Sequence, residues 1–342
     1  MFSKTLVLVL LGYFSSVFTT TSLVFSQAPA KKSSAFEFIA QKEGAAVQLE
    51  LDLTELLNNK KTNNYFPAGL TLEDGTTIAL EVRARGKFRR RITDVPPLKL
   101  KFAKKDMRAL GLDTLNEVRL VLPCSFTPED EARLLREYIA YRMYERLSQY
   151  HVKARLIHLT LRDNHVESSK PTVWAILLEH DEEIAVRLNG AVEKNFGVTA
   201  DSLDTPTAAL NAVFQYMIGN TDWSIEDARN IYQLRPSNGG KIIPIPYDFD
   251  FSGLVDAPYA SPTKESGLSN VRERALIANG IPASAIQAAL EILKSAESDL
   301  LSICKISQLN PDHSKQVEGY LASFFTAIKV PGKTPGRIKT AK

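Results

Sequence analysis

The 342-residue chain is poor in the residues that build the simplest functional sites. It has two cysteines, five histidines, four methionines and two tryptophans. The cysteines and histidines stand apart, so a zinc finger, a haem-attachment motif, an iron–sulfur centre and a disulfide-dense scaffold are excluded. Lys and Arg exceed Asp and Glu by 42 to 39. An excess of +3 gives no reason to expect nucleic acid as a partner. No GxSxG, HExxH or paired-cysteine signature is present, which leaves a triad hydrolase, a zincin or a thiol oxidoreductase without support. Beyond the first residues no apolar run reaches the ~18 positions that a membrane span needs. With 44% hydrophobic and 24% charged residues the composition is that of a globular chain with one or two domains.

Residues 1–26 read as a secretory signal. Lys4 supplies the positive start, residues 5–18 the apolar middle, and Ser26, with Val24 two before it, a cleavage site ahead of Gln27. Gly12, a serine pair and a threonine triplet interrupt the run, which speaks against an uncleaved anchor. The expected location is secreted or periplasmic, with no stable membrane insertion after cleavage. In such a compartment Cys124 and Cys304 either pair or stay as two separate thiols, and the sequence leaves both open.

Residues 27–35 form a polar linker. From 36 to 102 the pattern has period two: Val47, Leu49, Leu51 and Leu53, then Ile78, Leu80 and Val82, then Leu98, Leu100 and Phe102, with a further strand at 117–122. At 128–148 the period becomes helical, through Leu134, Leu135, Tyr138, Ile139, Met143 and Leu147. Thr127 is a good N-cap, Pro128 suits the first turn, and acids at 129–131 face the positive helix end. Strands follow at 154–161 and 172–178, a helix at 205–218, a hairpin of strands 230–234 and 241–245, and helices at 284–301 and 311–328. The expected organisation is a β-rich half (36–170), a helical half (171–330) and a basic, mobile tail (331–342).

The stretch from Phe214 to Gly253 carries the most chemistry. A helix ends at Gly219, a polar loop presents Asp222, Asn230 opens a strand, and the apolar return strand ends on Asp248 and Asp250. Phosphoryl transfer needs a carboxylate near the attacking oxygen and oxygen ligands for Mg²⁺. Protein kinases supply these in the order Asp, Asn, hairpin, Asp. The same order stands here, with eight positions from Asp222 to Asn230 where the kinase loop has five.

The segment NTDW, then NIY, then IPIPYDFD resembles the CotH kinase family, named for a spore-coat kinase with an atypical protein-kinase-like fold. RARGKFRRRITDVPPLKLKF and LLREYIAYRMYERLS are similar to the family's Arg-Gly strand and turn and to its long helix. The resemblance covers roughly residues 75–255. It implies an α+β, bilobal, kinase-like fold: a β-rich N-lobe with one long helix, and a helical C-lobe. It implies an exported kinase moving the γ-phosphoryl group of ATP, with Mg²⁺ or Mn²⁺, to a hydroxyl on an unknown protein or cell-envelope substrate. On this basis Asp222 is the catalytic carboxylate, Asp248 the main metal ligand, Asn230 a second ligand and Asp250 a helper. Lys99 or its rival Arg85 faces the nucleotide phosphates, and Glu137 is the helix residue that pairs with that cation.

Plainer readings stand beside these. Asp222 is also a good turn cap. Asp248 and Asp250 repel each other across Phe249 unless a cation compensates. RARGKFRRR binds phosphates or an acidic polymer, or is a solvated hairpin. The acidic run Glu179, Asp181, Glu182 and Glu183 reads as a solvated loop, and Trp223, Tyr247 and His158 as packing residues. Two other functions compete: a catalytically inactive kinase-like module that binds a cell-envelope polymer or a partner protein, and an enzyme acting on a different phosphorylated substrate.

Overall fold

The computed structural model describes residues 32–166, 172–329 and 337–339. The leader expected at 1–26 lies outside them, as do most of the linker and of the tail. The first half of the chain runs α1 (Ala35–Ile39), β1 (Ala45–Leu51), α2 (Leu53–Asn58), β2 (Phe66–Leu72), β3 (Thr77–Ala84), α3 (Arg89–Ile92), β4 (Leu98–Phe102), α4 (Lys104–Ala109), β5 (Glu117–Val121), α5 (Pro128–Leu147), β6 (Ala154–Asp163) and β7 (Thr172–Leu178). It continues through α6 (Asp181–Arg187), β8 (Gly190–Glu193), α7 (Thr205–Ile218), β9 (Ile231–Pro236), β10 (Ile243–Pro246), β11 (Ala275–Ile277), α8 (Ala283–Ser295), α9 (Glu297–Ile303), α10 (Pro311–Ile328) and β12 (Arg337–Lys339).

Seven strands close into a barrel in the order β1, β2, β3, β4, β5, β7, β6. The closing pair is β1 with β6, parallel, from Ala45 opposite Ile157 to Leu51 opposite Asp163. Alternation decides which side chains enter. Val47, Leu49 and Leu51 of β1 meet Leu98 and Leu100 of β4 and Ile157, Leu159 and Leu161 of β6 inside the barrel. β7 reads as an unbroken apolar run because both of its faces are covered. Ala175 and Leu177 point into the barrel, whereas Ile176 and Leu178 point into a second core built with the helices.

That second core corrects the expected architecture. The α+β bilobal kinase-like fold is not the fold of this chain: the described residues form a closed seven-stranded barrel, a separate three-stranded sheet (β10, β9, β8), a two-stranded sheet (β11, β12) and ten α-helices. The long helix α5 is not an N-lobe element. Every side chain from Leu134 to Tyr141 is buried; α5 packs against β6, β7 and α9, its Tyr144 meets Phe214 of α7, and its apolar side chains share one core with those of α7, α8 and α10. A helix covered on all sides is a central pillar. One core spans the proposed boundary at residue 170, so the halves are not separate lobes.

Several local signals act as their chemistry requires. Thr127 accepts from the backbone N–H of Asp130 and caps α5, with Pro128 in the first turn. The helix expected at 284–301 is two helices, divided at Ala296, whose N–H still reaches the carbonyls of Ile292 and Leu293. The acidic run is no solvated loop. His180 caps α6, Glu183 is buried, and Glu179 is fully buried against Arg187. Cys124 and Cys304 are both free thiols.

Candidate functional site

Helix α7 is buried from Ala208 to Ile218 and ends at Gly219, whose φ of +67° opens the turn toward Asp222. Gly253 lies against this turn, its N–H donating to the Gly219 carbonyl at 3.1 Å. The two glycines are needed here, because a Cβ on Gly219 or Gly253 would stand 2.1 or 2.4 Å from the Tyr320 hydroxyl. The pinch ties the approach to Asp222 to the exit from Asp250.

The loop from Asp222 to Asn230 closes on itself. Ser224 and Arg229 exchange both backbone bonds, at 3.0 and 2.9 Å. This small bridge brings Asn230 back to Asp222 across eight positions. The Asn230 amide donates to the Asp222 carbonyl at 2.7 Å and to its carboxylate Oδ2 at 3.1 Å. Arg229 stands 3.6 Å from the other carboxylate oxygen. The Asn220 side chain accepts from the Asp222 N–H at 2.9 Å, fixing the loop from the other side.

Strand β10 then delivers Asp248 and Asp250. Asn230 (φ +54°) and Asp248 (φ +64°) both hold left-handed backbone conformations. Such conformations are unfavourable for side chains other than glycine and concentrate at functional sites. The Asp248 N–H donates to the Tyr141 hydroxyl of α5 at 2.9 Å. Asp250 is buried and accepts from the Tyr259 hydroxyl at 3.0 Å. Above it α5 presents Glu137, 2% exposed, in an ion pair with buried Arg89 at 3.3 Å. Arg89 also donates to the Leu122 carbonyl.

The site is therefore a crowd of carboxylates with one buried guanidinium. Burial, and then the charge of Asp248, push the Asp250 carboxyl up to about 7. Burial lifts Glu137 to about 8 against the pull of Arg89, with Asp250 and Asp248 adding to the rise. Burial also raises Asp222; Arg229 and Asn230 oppose it and Asp248 reinforces it. Asp248 acts on the other three, Asp222 on Asp250, and Asp250 on Glu137, which links Asp222, Asp248, Asp250 and Glu137 in one neighbourhood.

The expected cation partners are arranged differently. Lys99 lies on β4 with its ammonium 2.5 Å from Glu117, and His180 reaches the same carboxylate at 3.1 Å. Glu137 pairs with Arg89 instead. Arg89 is the cation that sequence reasoning missed as the partner of Glu137, since RARGKFRRR reads equally as a binder of phosphates or an acidic polymer and as a solvated hairpin. Arg85 is half-buried, its N–H donating to the Pro97 carbonyl at 2.8 Å; its guanidinium makes no hydrogen bond or ion pair among the described residues, yet its charge acts on Glu137, Tyr141 and Tyr247. Tyr247 stacks on Tyr232 with ring centroids 4.1 Å apart, and Arg119 lies over Tyr232.

Among the described residues no group of three His, Cys, Asp or Glu side chains is set to hold a metal ion by itself. The donors present are carboxylate and amide oxygens, the hard ligands that Mg²⁺ and Mn²⁺ prefer. One observation favours such a cation: Glu137 Oε1 is buried without a hydrogen-bond partner beside Asp248 and Asp250. Mg²⁺ commonly uses one or two carboxylates and takes the rest from water and phosphate, so the set fits. A groove of about 490 Å³ lies elsewhere, lined by Arg272, Lys315, Gln316, Gly319, Tyr320 and Ser323, and none of the candidate residues lines it.

Comparison with known proteins adds no identity: no protein-family model matches the chain, and no match to a curated protein is found.

Proposed function

We propose that this chain is an exported, metal-dependent phosphotransferase that moves the γ-phosphoryl group of ATP to a hydroxyl on a protein or cell-envelope acceptor. The observation that carries this reading is the clamp of Asn230 on Asp222 beside Asp248 and Asp250. The reading rests on the site and not on the fold, since one chemistry recurs on unrelated folds. The motif order that resembles the CotH kinases supports it.

In this mechanism Asp222 accepts the hydrogen bond of the acceptor hydroxyl. Its raised pKa makes it a stronger base than an ordinary aspartate. Asn230 holds that carboxylate in one orientation through its Nδ2 and keeps Oδ1 for a ligand. Asp248 and Asp250, with Asn230, would hold Mg²⁺ or Mn²⁺. The bound metal would supply charge neutralisation at the phosphates. Tyr141 and Tyr259 fix Asp248 and Asp250 from behind. Arg85, whose guanidinium has no hydrogen-bond or ion-pair partner among the described residues and whose charge acts on Glu137, would be the cation that meets the phosphates.

The second reading, an inactive module that holds a cell-envelope polymer or a partner protein, is favoured by the arginine edge. Arg83 and Arg90 bond only to neutral groups. The deciding experiment incubates the protein with γ-labelled ATP, Mn²⁺ or Mg²⁺ and a generic acceptor such as casein. The phosphotransferase reading expects label in the acceptor or in the chain itself, lost in Asp222→Asn and Asp248→Asn. Label equally strong in both variants, or absent with either metal, would overturn it.

A further inference from the structure

The arginine-rich turn divides into two populations. Arg89 faces inward and belongs to Glu137 and Leu122. Arg83 and Arg90 face each other at the rim and share two acceptors. Arg83 Nη1 and Arg90 Nη2 both donate to the Ala84 carbonyl, at 3.3 and 2.9 Å, and to Asn63 Oδ1, at 3.5 and 3.2 Å. Arg90 Nη1 reaches the Lys61 carbonyl at 3.3 Å. None of these acceptors carries a charge. Arg85 follows two positions after Arg83, just beyond the end of β3; its N–H donates to the Pro97 carbonyl, and its guanidinium has no hydrogen-bond or ion-pair partner among the described residues. Burial, then the charges of Arg83 and Arg85, pull the Arg90 guanidinium below its ordinary pKa. Exposed Lys87 and Arg91 add to the same turn.

The charge of Arg85 acts on Glu137, which is itself paired with Arg89, and the other neighbouring carboxylates are engaged by other cations. Glu117 is held by Lys99 and His180, Glu81 by Lys101 at 3.8 Å, and Asp181 by Arg119 at 2.8 Å. Like charges gathered together are unfavourable, and here the backbone carbonyls and Asn63 hold Arg83 and Arg90 in place. Planar guanidinium forks fixed in this way match the oxygens of a phosphate dianion, which takes paired N–H donors. The narrow spacing set by shared acceptors suits one compact, doubly charged group better than an extended chain of single carboxylates.

We propose that Arg83, Arg85 and Arg90 form a binding site for a phosphate dianion, carried either by a free or nucleotide phosphate or by a phosphorylated side chain. The site shares Arg85 with the phosphotransferase reading and otherwise stands apart from it. The test needs no metal and no catalysis. Full-length protein in EDTA is titrated with inorganic phosphate, ATP and a phosphoserine peptide, followed by ³¹P NMR or calorimetry, with acetate as control. The wild type and Asp222→Asn should bind phosphate alike. Arg85→Gln, which breaks no side-chain hydrogen bond or ion pair among the described residues, should weaken binding about tenfold, as should Arg83→Gln. Tighter binding of ATP than of the peptide supports the site and assigns it to a nucleotide; the reverse order supports it and assigns it to a phosphorylated chain. Acetate binding as tightly as phosphate, or phosphate affinity unchanged in both arginine variants, overturns the proposal. Loss of phosphoryl transfer with phosphate binding intact would count against the enzyme reading alone.

Discussion

Glu183 offers a sharp test of how this fold handles buried acids. It sits on α6, 5% exposed, and accepts from the Ser34 hydroxyl at 2.5 Å. Its other oxygen is buried without a partner. Burial pushes its carboxyl up to about 7 from the ordinary 4.5; the Ser34 hydrogen bond opposes this, and the charges of Glu179 and Glu37 reinforce it. Between pH 4.5 and 7 the folded chain therefore holds a proton that the unfolded chain has released. Stability from this group is fully present below pH 4.5 and is lost as the pH rises through 7. The gap corresponds to about 3 kcal/mol, at 1.36 kcal/mol per pH unit. Glu183→Gln keeps the shape and the Ser34 bond and removes the titration. Relative to wild type it should be neutral near pH 4.5 and more stable by about 2–3 kcal/mol at pH 8, or roughly 5 °C in Tm for a chain of this size. Urea unfolding of both proteins at the two pH values measures this. An equal difference at both pH values, or a variant less stable at pH 8, would refute the reasoning.

Other outcomes follow from single contacts. Glu179 is fully buried and bound by Arg187 through two bonds of 2.7 Å, so Arg187→Met should cost about 3–5 kcal/mol in a denaturant melt. Gly219→Ala should destabilise by more than about 2 kcal/mol, from the φ of +67° and the clash with Tyr320. Tyr320→Phe removes a buried hydroxyl that has no partner, so it should be nearly neutral alone and should recover part of the Gly219→Ala loss. Tyr141→Phe removes the bond to the Asp248 N–H and should lower phosphoryl transfer about tenfold while shifting Tm by only a few degrees. Cys124 and Cys304 should both titrate with a thiol reagent in denaturant without prior reduction.

Much of the local structure was legible because it is written in neighbouring residues. The alternation at Val47, Leu49 and Leu51 marks β1, and Thr127 with Pro128 marks the start of α5. Closure of the barrel was not legible. It depends on β1 meeting β6 in parallel across more than a hundred positions, and no local pattern encodes that pairing. The lobe boundary failed for a related reason, because α5 is buried all round and belongs to the helical core. Charged runs misled most. Glu179 and Glu183 read as solvated, yet Arg187 and Ser34 satisfy them inside the protein. Arg89 read as one of three surface arginines, yet it turns inward to Glu137. By contrast, the order of Asp222, Asn230, Asp248 and Asp250 was enough to nominate them, and the Ser224–Arg229 bridge accounts for the long spacing.

The most direct test of the central claim is a thermal-shift titration of the protein with ATP plus Mg²⁺ or Mn²⁺, run beside Asp248→Ala. Binding at a hundred times the dissociation constant adds about 2.7 kcal/mol of stability, roughly 5 °C here. The account predicts a rise in wild-type Tm that requires both nucleotide and metal and disappears in the variant. No rise with any nucleotide–metal pair, or an equal rise in Asp248→Ala, would contradict it.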